Sequence, residues 1–339
     1  MRVQDIEIPY AEDRDFKYKL FEKLPALITY FVLALPIILS LFNPVWAAYF
    51  IIFYIVLWFI KAVVMAVRSL QGYNRMQRAR KLDWLSLLKD VDNPEEAVKK
   101  NFSAKWGRIH KTNLESYLKQ DQKRLQSSEI IQAVIMAFSN EPYEILDLTV
   151  QSLIKNKWDS KKHTVRFIGY EERNGKATKE NAERFVKRYK NKFLHIQAVG
   201  HPDKVPGEVS GKGSNMSHAA KFMDAWFRKK KIDAERVIVT TIDSDNRPDP
   251  AYFAALTYSY ILAKDRLHKS FQPIPMFFTN MWHAPTMMRI IATGNSFWMV
   301  ISSTRYTFKA VEAAEKLNIK LVKTDDIRKE DNGSKRKDN

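Results

Sequence analysis

The sequence predicts an α/β protein whose parallel sheet is preceded by a hairpin of two transmembrane helices. Two apolar runs near the amino terminus predict the hairpin, because each is long enough to cross the hydrocarbon of a bilayer. After residue 129, short β-branched runs alternate with helical patterns, and strands separated by helices form parallel βαβ units. An acidic turn, Asp243-Ser244-Asp245, follows the last of these strands. Ligands of open α/β sheets bind beyond the carboxyl ends of the strands, so this turn is a candidate site.

The composition excludes several kinds of site. The chain has 339 residues, which is enough for one large domain or two. It contains no cysteine, which excludes disulfides, zinc–thiolate centres and a cysteine nucleophile. Its formal net charge of +18 indicates a polyanionic partner, and membrane phosphates, nucleic acids and nucleotides are the candidates.

Residues 24–42 and 45–67 are the predicted transmembrane helices, and residues 1–23 are a predicted cytoplasmic segment before them. Asn43-Pro44 between the two runs is a turn signal. A hairpin buried inside a soluble protein is the alternative. The lack of a polar face on either run argues against it.

Basic residues flank the hairpin on both sides, whereas the turn between its helices carries no charge. The positive-inside rule therefore predicts a multi-pass protein of the plasma membrane, with both chain ends and the α/β domain in the cytoplasm. Contact with the lipid bilayer accounts for much of the positive charge. For that reason no nucleic-acid partner is expected.

The rest of the chain divides into three predicted segments. Residues 68–128 form a polar juxtamembrane connector, in which residues 83–88 have the pattern of an amphipathic helix that could lie at the membrane interface. Residues 129–305 form the α/β domain, and residues 306–339 form a helix with a disordered, charged tail. The predicted strands cover residues 130–138, 165–169, 194–199 and 237–242. The helices predicted between them cover residues 145–154, 179–190 and 215–229.

The acidic turn places two carboxylates, those of Asp243 and Asp245, one residue apart with a small serine between them. Two such carboxylates can converge on a hard divalent cation and, through it, on a diphosphate. The alternative is an ordinary polar turn, which is the more frequent meaning of an isolated Asp-x-Asp. The residues of the neighbouring loops are needed to choose between a metal site and an ordinary polar turn.

Two further polar loops follow predicted strands. Ser139-Asn140-Glu141 could meet a ribose or a base, and it could equally be the N-cap of the next helix. Glu171 and Glu172 follow the second strand. Solvated charge is the simpler interpretation of these two residues, and a contact with a ligand is the alternative.

A glycine-rich loop precedes the helix that is predicted to begin at Asn215. Gly211 and Gly213 flank Lys212, and free amides with a cation at a helix start suit a diphosphate. A plain flexible connector is the alternative. The loop has neither the Walker A spacing nor the Gly-x-Gly-x-x-Gly fingerprint of dinucleotide-binding folds.

These motifs together resemble those of membrane-bound family 2 glycosyltransferases of the cellulose- and hyaluronan-synthase superfamily. That family has the GT-A fold, a Rossmann-like fold of nucleotide-diphospho-sugar transferases. The resemblance covers roughly residues 24–305. It is carried by residues 137–142 (Ala-Phe-Ser-Asn-Glu-Pro), 211–215 (Gly-Lys-Gly-Ser-Asn) and 242–253 (Ile-Asp-Ser-Asp-Asn-Arg-Pro-Asp-Pro-Ala-Tyr-Phe). A Lys-Gly-x-Asn sequence upstream of a strand that ends in Asp-x-Asp is a specific pair.

The resemblance implies transfer of a sugar, with inversion, from a nucleotide-diphosphate sugar to a polysaccharide or glycolipid acceptor. The donor in such enzymes is most often linked to UDP, and the cofactor is Mg²⁺ or Mn²⁺. Carried over by position, the resemblance implies that Asp243 would lie nearer the nucleotide and that Asp245 would bind the metal, with Asp243 as a second candidate ligand.

The resemblance also implies roles for four other residues. Lys212 would contact the diphosphate, and Asn215 belongs to the same nucleotide-sugar-binding motif. Glu141 falls where such enzymes hold the nucleoside. Glu171 stands where they commonly have an aspartate that reads the base, and this departure leaves the identity of the base open.

Beyond Arg305 the resemblance ends. The base motif, the acceptor motif and the further membrane helices of such enzymes do not follow, so a truncated family member is expected. Asp326 is a weak candidate for the catalytic base. The alternative function is a catalytically incomplete nucleotide-sugar-binding fragment, or a half-enzyme that requires a partner chain for the missing carboxyl-terminal half. Residues 286–301 are expected to form an interfacial helix near the acceptor path, and His283 is expected to be structural rather than catalytic.

Overall fold

A computed structural model of the protein describes residues 14–203, 205, 211–277 and 281–303. The chain divides into two compact units. The sheet unit consists of Ala79–Gln272, and the helical unit combines Met1–Arg78 with Pro273–Asn339.

The secondary structure alternates between helices and strands from residue 131 onward. The helices are α1 (Phe16–Phe42), α2 (Pro44–Arg80), α3 (Trp84–Asp92), α4 (Pro94–Ala97), α5 (Lys105–Leu118), α6 (Tyr143–Ile154), α7 (Ser160–His163), α8 (Lys176–Tyr189), α9 (Lys212–Lys229), α10 (Tyr252–Leu262) and α11 (Thr286–Ser302). The strands are β1 (Ile131–Phe138), β2 (Thr164–Glu171), β3 (His195–His201) and β4 (Val237–Asp243).

Both predicted apolar helices are present, and each is longer than its apolar run. By length and composition, α1 and α2 are able to cross a membrane, and none of the residues in their most apolar stretches is buried inside the protein. A core helix of a soluble protein would be mostly buried instead. Asn43 forms the turn: its side-chain oxygen accepts a hydrogen bond from the amide of Val45 at 2.9 Å. Pro44 begins α2 at the position where a missing N–H costs nothing.

Helix α11 packs against α2 within the helical unit. Gly72 makes this possible, because a Cβ atom at that position would lie 2.4 Å from the carbonyl oxygen of Val300. The contact is extended by Arg75, whose guanidinium donates to the carbonyl of Ser303 at 3.1 Å. The helix predicted at residues 286–301 therefore forms, and its carboxyl-terminal end packs on α2.

The four strands form one parallel sheet in the order β3-β2-β1-β4, which confirms the α/β class. All of β2 and all but the first residue of β1 are buried, as expected for central parallel strands covered on both faces. Helix α9 covers one face, and helices α6, α8 and α10 pack in the larger cluster on the other. The predicted strands and the helices between them are confirmed, although each helix begins two or three residues earlier than predicted.

The compact units have different boundaries from the predicted segments. The sheet unit begins at Ala79 rather than at residue 129, and residues from Pro273 onward group with the helical unit. Helix α3, which contains most of the segment predicted to lie at the membrane interface, buries Leu88 and Val91 in the core of the sheet unit. Each such burial stabilises the fold by about 1.5–3 kcal/mol. An amphipathic pattern identifies an apolar face but does not tell which surface covers it.

A buried polar network joins α3, α5 and α10. His110 is fully buried, and its Nε2 lies 3.3 Å from Oδ2 of Asp90 while its Nδ1 lies 2.8 Å from the hydroxyl of Tyr258. A carboxylate only accepts hydrogen bonds, so Nε2 carries the proton and the Tyr258 hydroxyl donates to Nδ1. Burial lowers the pKa of His110 below 6.5, and the attraction of Asp90 only partly opposes this. The ring is therefore neutral in the folded protein near neutral pH.

The neutral state of His110 makes stability depend on pH. In the unfolded chain a histidine has a pKa of about 6.5, so below that pH the unfolded state binds a proton that the folded state does not. The free energy of unfolding is therefore expected to be constant above about pH 7 and to fall as the pH is lowered through 6.5. Thermal unfolding of the full chain in detergent, followed by circular dichroism, measures this dependence.

The variant His110→Gln is expected to show a shallower decline in stability toward acidic pH than the wild type. His268→Gln is the matched control, since His268 is exposed and lies outside the network. An equal decline in the wild type and His110→Gln would contradict the assignment.

Candidate functional site

The order of the strands reverses between β1 and β4, which makes this the switch point of the sheet. Strands β2 and β3 follow β1 on one side of the sheet, whereas β4 pairs with the other side of β1. Loops that leave the carboxyl ends of the strands at such a switch point diverge, and ligands bind between them. Ala137 pairs with Asp243, so the loop after β1 and the acidic turn after β4 lie side by side.

The acidic turn has a buried centre and exposed sides. It is closed by a hydrogen bond from the amide of Asn246 to the carbonyl of Asp243 at 3.2 Å. Ser244 is buried, and its carbonyl accepts a hydrogen bond from Oγ1 of Thr149 at 2.7 Å. Asp243 and Asp245 on either side of it are exposed. The segment is thus a polar turn, and the small buried serine also leaves both carboxylates accessible to a ligand.

Glu141 connects the loop after β1 to this turn. Its Oε1 accepts from the hydroxyl of Ser244 at 2.8 Å, and its Oε2 accepts from the amide of Ser139 at 2.6 Å. Burial raises the pKa of Glu141, but these two hydrogen bonds and the charge of Lys212 outweigh burial and bring the pKa below 4.5. Glu141 is therefore ionised near neutral pH and ties the two loops together.

The loop after β1 does not cap the next helix through Ser139. The N-cap of α6 is Pro142, which makes no side-chain cap hydrogen bond. The hydroxyl of Ser139 instead accepts a hydrogen bond from Nδ2 of Asn174 at 2.6 Å. The N-cap interpretation of Ser139 is therefore wrong, because the serine binds the loop after β2 instead.

Lys212 brings the glycine-rich loop to the acidic turn. Helix α9 begins at Lys212, three residues before the predicted start, so this cation lies in the first turn of the helix. Its ammonium forms an ion pair with Oδ1 of Asp243. Both side chains are about half exposed, so solvent screens the attraction and the pair adds little to stability. The glycine-rich loop and the acidic turn are therefore in contact, although Lys212 and Asp243 are 31 positions apart in the sequence (243 − 212).

Asn215 holds the start of α9 against the sheet. It is buried and lies on Gly169 of β2, where an added Cβ would be 2.2 Å from its Oδ1. This oxygen has no hydrogen-bond partner among the described residues. A buried amide oxygen without a partner is uncommon in folded proteins and is often explained by a water or a ligand.

Glu171 is buried at the end of β2 rather than solvated. Its Oε2 lies 3.3 Å from Nδ1 of His201 at the end of β3 and 3.3 Å from Nε of Arg173. His201 in turn makes an edge-to-face contact with His218 of α9. Sequence reasoning missed His201, although its place directly after an apolar strand was the same signal that identified Glu171.

The described residues provide two oxygen ligands of the kind that a divalent cation needs. Asp243 and Asp245 are exposed carboxylates on one turn, and the described part of the chain has no group of three or more metal-binding side chains. Mg²⁺ commonly binds one or two carboxylates and takes its other ligands from phosphates and water. The turn fits a metal that arrives with a diphosphate better than a metal held by protein alone. Asp326 and the side chain of His283 lie outside the described residues.

The contact between Gly169 and Asn215 predicts opposite effects for two glycine-to-alanine changes. Gly169→Ala is expected to lower the free energy of unfolding by about 1–3 kcal/mol, because Asn215 must move away from the sheet. Gly213→Ala, which has open space around its Cβ position inside α9, is expected to be neutral or to stabilise by up to about 1 kcal/mol. Chemical denaturation followed by tryptophan fluorescence compares them, and equal stability of the two variants would contradict the contact.

No family model matches the chain, and neither the curated proteins nor the solved structures contain one with significant similarity to it. The architecture and the site therefore rest on the geometry of this chain, and the resemblance to family 2 glycosyltransferases remains a hypothesis based on its motifs.

Proposed function

We propose that the protein is a membrane-anchored glycosyltransferase of family 2 with a GT-A fold. It transfers a sugar, with inversion, from a UDP-linked sugar to a polysaccharide or glycolipid acceptor. The parallel sheet in the order β3-β2-β1-β4, with polar loops at its switch point, is compatible with this fold. Fold alone does not establish function, so the proposal depends on the site.

The observation that carries the proposal is the ion pair between Lys212 and Asp243. It joins the two motifs on which the resemblance depends, the Lys-Gly-x-Asn sequence and the Asp-x-Asp sequence. A cation at a helix start beside an exposed carboxylate suits a ligand that contains both a diphosphate and a divalent metal. Neither an ordinary polar turn nor a flexible connector requires this meeting.

Each residue of the site would have its own role in the proposed reaction. Asp245 and Asp243 would hold Mg²⁺ or Mn²⁺, which supplies positive charge to the departing diphosphate when bound. Lys212 would exchange its partner Asp243 for a phosphate oxygen. The positive charge of Lys212 would then stabilise the negative charge that develops on the leaving group. Inversion also requires a base that takes the proton of the acceptor hydroxyl, and Asp326 is the weak candidate for it.

The two glutamates would act on the nucleoside. Glu141 is fixed by Ser139 and Ser244, which places an ionised carboxylate between the loop after β1 and the acidic turn. Glu171 is fixed by His201 and Arg173 at the neighbouring strand end. Since both carboxylates are held before the ligand arrives, binding would cost little further ordering of these side chains.

The membrane arrangement completes the proposal. With α1 and α2 as spans, the basic flanks of the hairpin would face the cytoplasm, where nucleotide-sugars are available to the sheet unit. The proposed location is the plasma membrane, in multi-pass form. The alternative remains an incomplete nucleotide-sugar binder that requires a partner chain.

The variant Asp245→Asn tests the proposed metal site. It is expected to weaken Mn²⁺-dependent binding of UDP by about tenfold or more, because a charged metal ligand is lost. Isothermal titration of the full chain in detergent, with and without Mn²⁺, measures this. The matched control is Asp224→Asn, which removes an exposed carboxylate of α9 that pairs with Arg228.

Unchanged Mn²⁺-dependent binding in Asp245→Asn would refute the central assignment. A second measurement, release of UDP from a UDP-sugar in the presence of a glycan acceptor, separates enzyme from binder. Binding with Mn²⁺ but without transfer or hydrolysis would refute the enzyme and favour the incomplete binder.

A further inference from the structure

A cleft of about 430 Å³ lies beside the first half of α11 in the helical unit. It is lined by Met281, Trp282, Thr286, Arg289, Ile290 and Thr293. The cleft thus has one cation and two hydroxyl groups, and its other walls are apolar. None of these residues belongs to the site at the edge of the sheet.

The guanidinium of Arg289 is only partly satisfied within the protein. Its Nη2 donates to the hydroxyl of Thr286 at 3.1 Å. Its Nε is buried and has no hydrogen-bond partner among the described residues, and no carboxylate among them pairs with this arginine. A buried charged donor without an acceptor is costly, and an anionic oxygen would satisfy it. The planar fork of a guanidinium matches the oxygens of a phosphate group.

The surface around the cleft is apolar and open to its surroundings. Trp282 is 75% exposed, Met287 is 71% exposed and Ile290 is 63% exposed. Contiguous apolar side chains of this kind mark a surface that is covered by another molecule or by a membrane. Tryptophan in particular is enriched at the level of lipid head groups. A ligand with both a phosphate and hydrocarbon chains would cover Arg289 and these residues together.

The contact between α11 and α2 is made by the last turn of α11, eleven positions beyond Arg289, and it lies near the end of the predicted span. Gly72, on which Val300 packs, lies five positions beyond the end of the predicted span at residue 67. At about 1.5 Å per residue, that is roughly 8 Å along α2 from the end of the apolar run. Lipid head groups occupy this layer of a bilayer.

We infer that this cleft binds the phosphate of an anionic membrane lipid. The guanidinium of Arg289, which is partly exposed, turns toward the phosphate oxygens and binds them, and the acyl chains lie along Trp282 and Ile290. The inference depends on the membrane anchoring of α2, and not on the proposed sugar transfer.

Lipid binding to the delipidated full chain tests this inference. The protein in detergent is mixed with phosphatidylglycerol or with phosphatidylcholine, and native mass spectrometry measures the bound fraction. Phosphatidylglycerol is expected to bind the wild type in preference to phosphatidylcholine. Arg289→Gln is expected to reduce its affinity about tenfold, the loss of one charge-assisted contact. Arg289→Lys keeps the charge but lacks the planar guanidinium, and its affinity for phosphatidylglycerol is expected to lie between those of the wild type and Arg289→Gln.

The matched control is Arg78→Gln, which removes an exposed arginine of α2 that does not line the cleft. It is expected to lower the affinity for phosphatidylglycerol less than Arg289→Gln does, because the basic flank attracts anionic lipid only by its charge. An equal loss of binding in Arg78→Gln and Arg289→Gln would overturn the inference, because it would indicate attraction by net charge alone. Equal binding of both lipids by the wild type would also overturn it. So would displacement of the lipid by millimolar inorganic phosphate, which would indicate a site for the free ion.

Discussion

The pairing of β1 with β4 is the constraint on which the candidate site depends. Among the described strands, β4 is the one that pairs with β1 at the edge away from β2, and this pairing aligns Ala137 with Asp243. Each hydrogen bond from Ser139 or Ser244 to the ionised Glu141 contributes only about 1.5–3 kcal/mol. The strand pairing supplies the ordering that these bonds could not supply alone. Without it, Glu141 would not reach Ser244, and the start of α9 would not reach the acidic turn.

The site combines a fixed frame with accessible charges. Ser244 and Asn215 are buried, and Glu141 is held by hydrogen bonds from both sides. Asp243, Asp245 and Lys212 are exposed on that frame. Groups that must exchange partners with a ligand are therefore separate from the groups that hold the backbone in place. Such separation permits binding without rearrangement of the loops.

The sheet could be predicted from the sequence because each strand is a short apolar run whose ends are marked by polar residues. The meeting of the four polar loops could also be predicted, since the carboxyl ends of parallel strands share one edge. The surface that covers α3 could not, because a helical apolar pattern is the same for a membrane and for a protein core. The burial of Arg166 could not be predicted either. This residue of β2 is fully buried, and its Nη2 donates to Sδ of Met136 at 2.9 Å. Burial lowers the pKa of this arginine to about 9, and a charged residue within an apolar run gives no sign of such burial.

The ion pair between Lys212 and Asp243 leaves that part of the ligand-free site without net charge. A divalent cation that arrived alone would find Asp243 already paired with Lys212, and a diphosphate that arrived alone would be repelled by Asp243 and Asp245. The two together replace both partners of the pair. If the protein binds the proposed ligands, their binding would therefore be cooperative, and linkage requires that each would raise the affinity of the other by the same factor. The concentration of free divalent cation in the cell would then set how much nucleotide-sugar the protein holds.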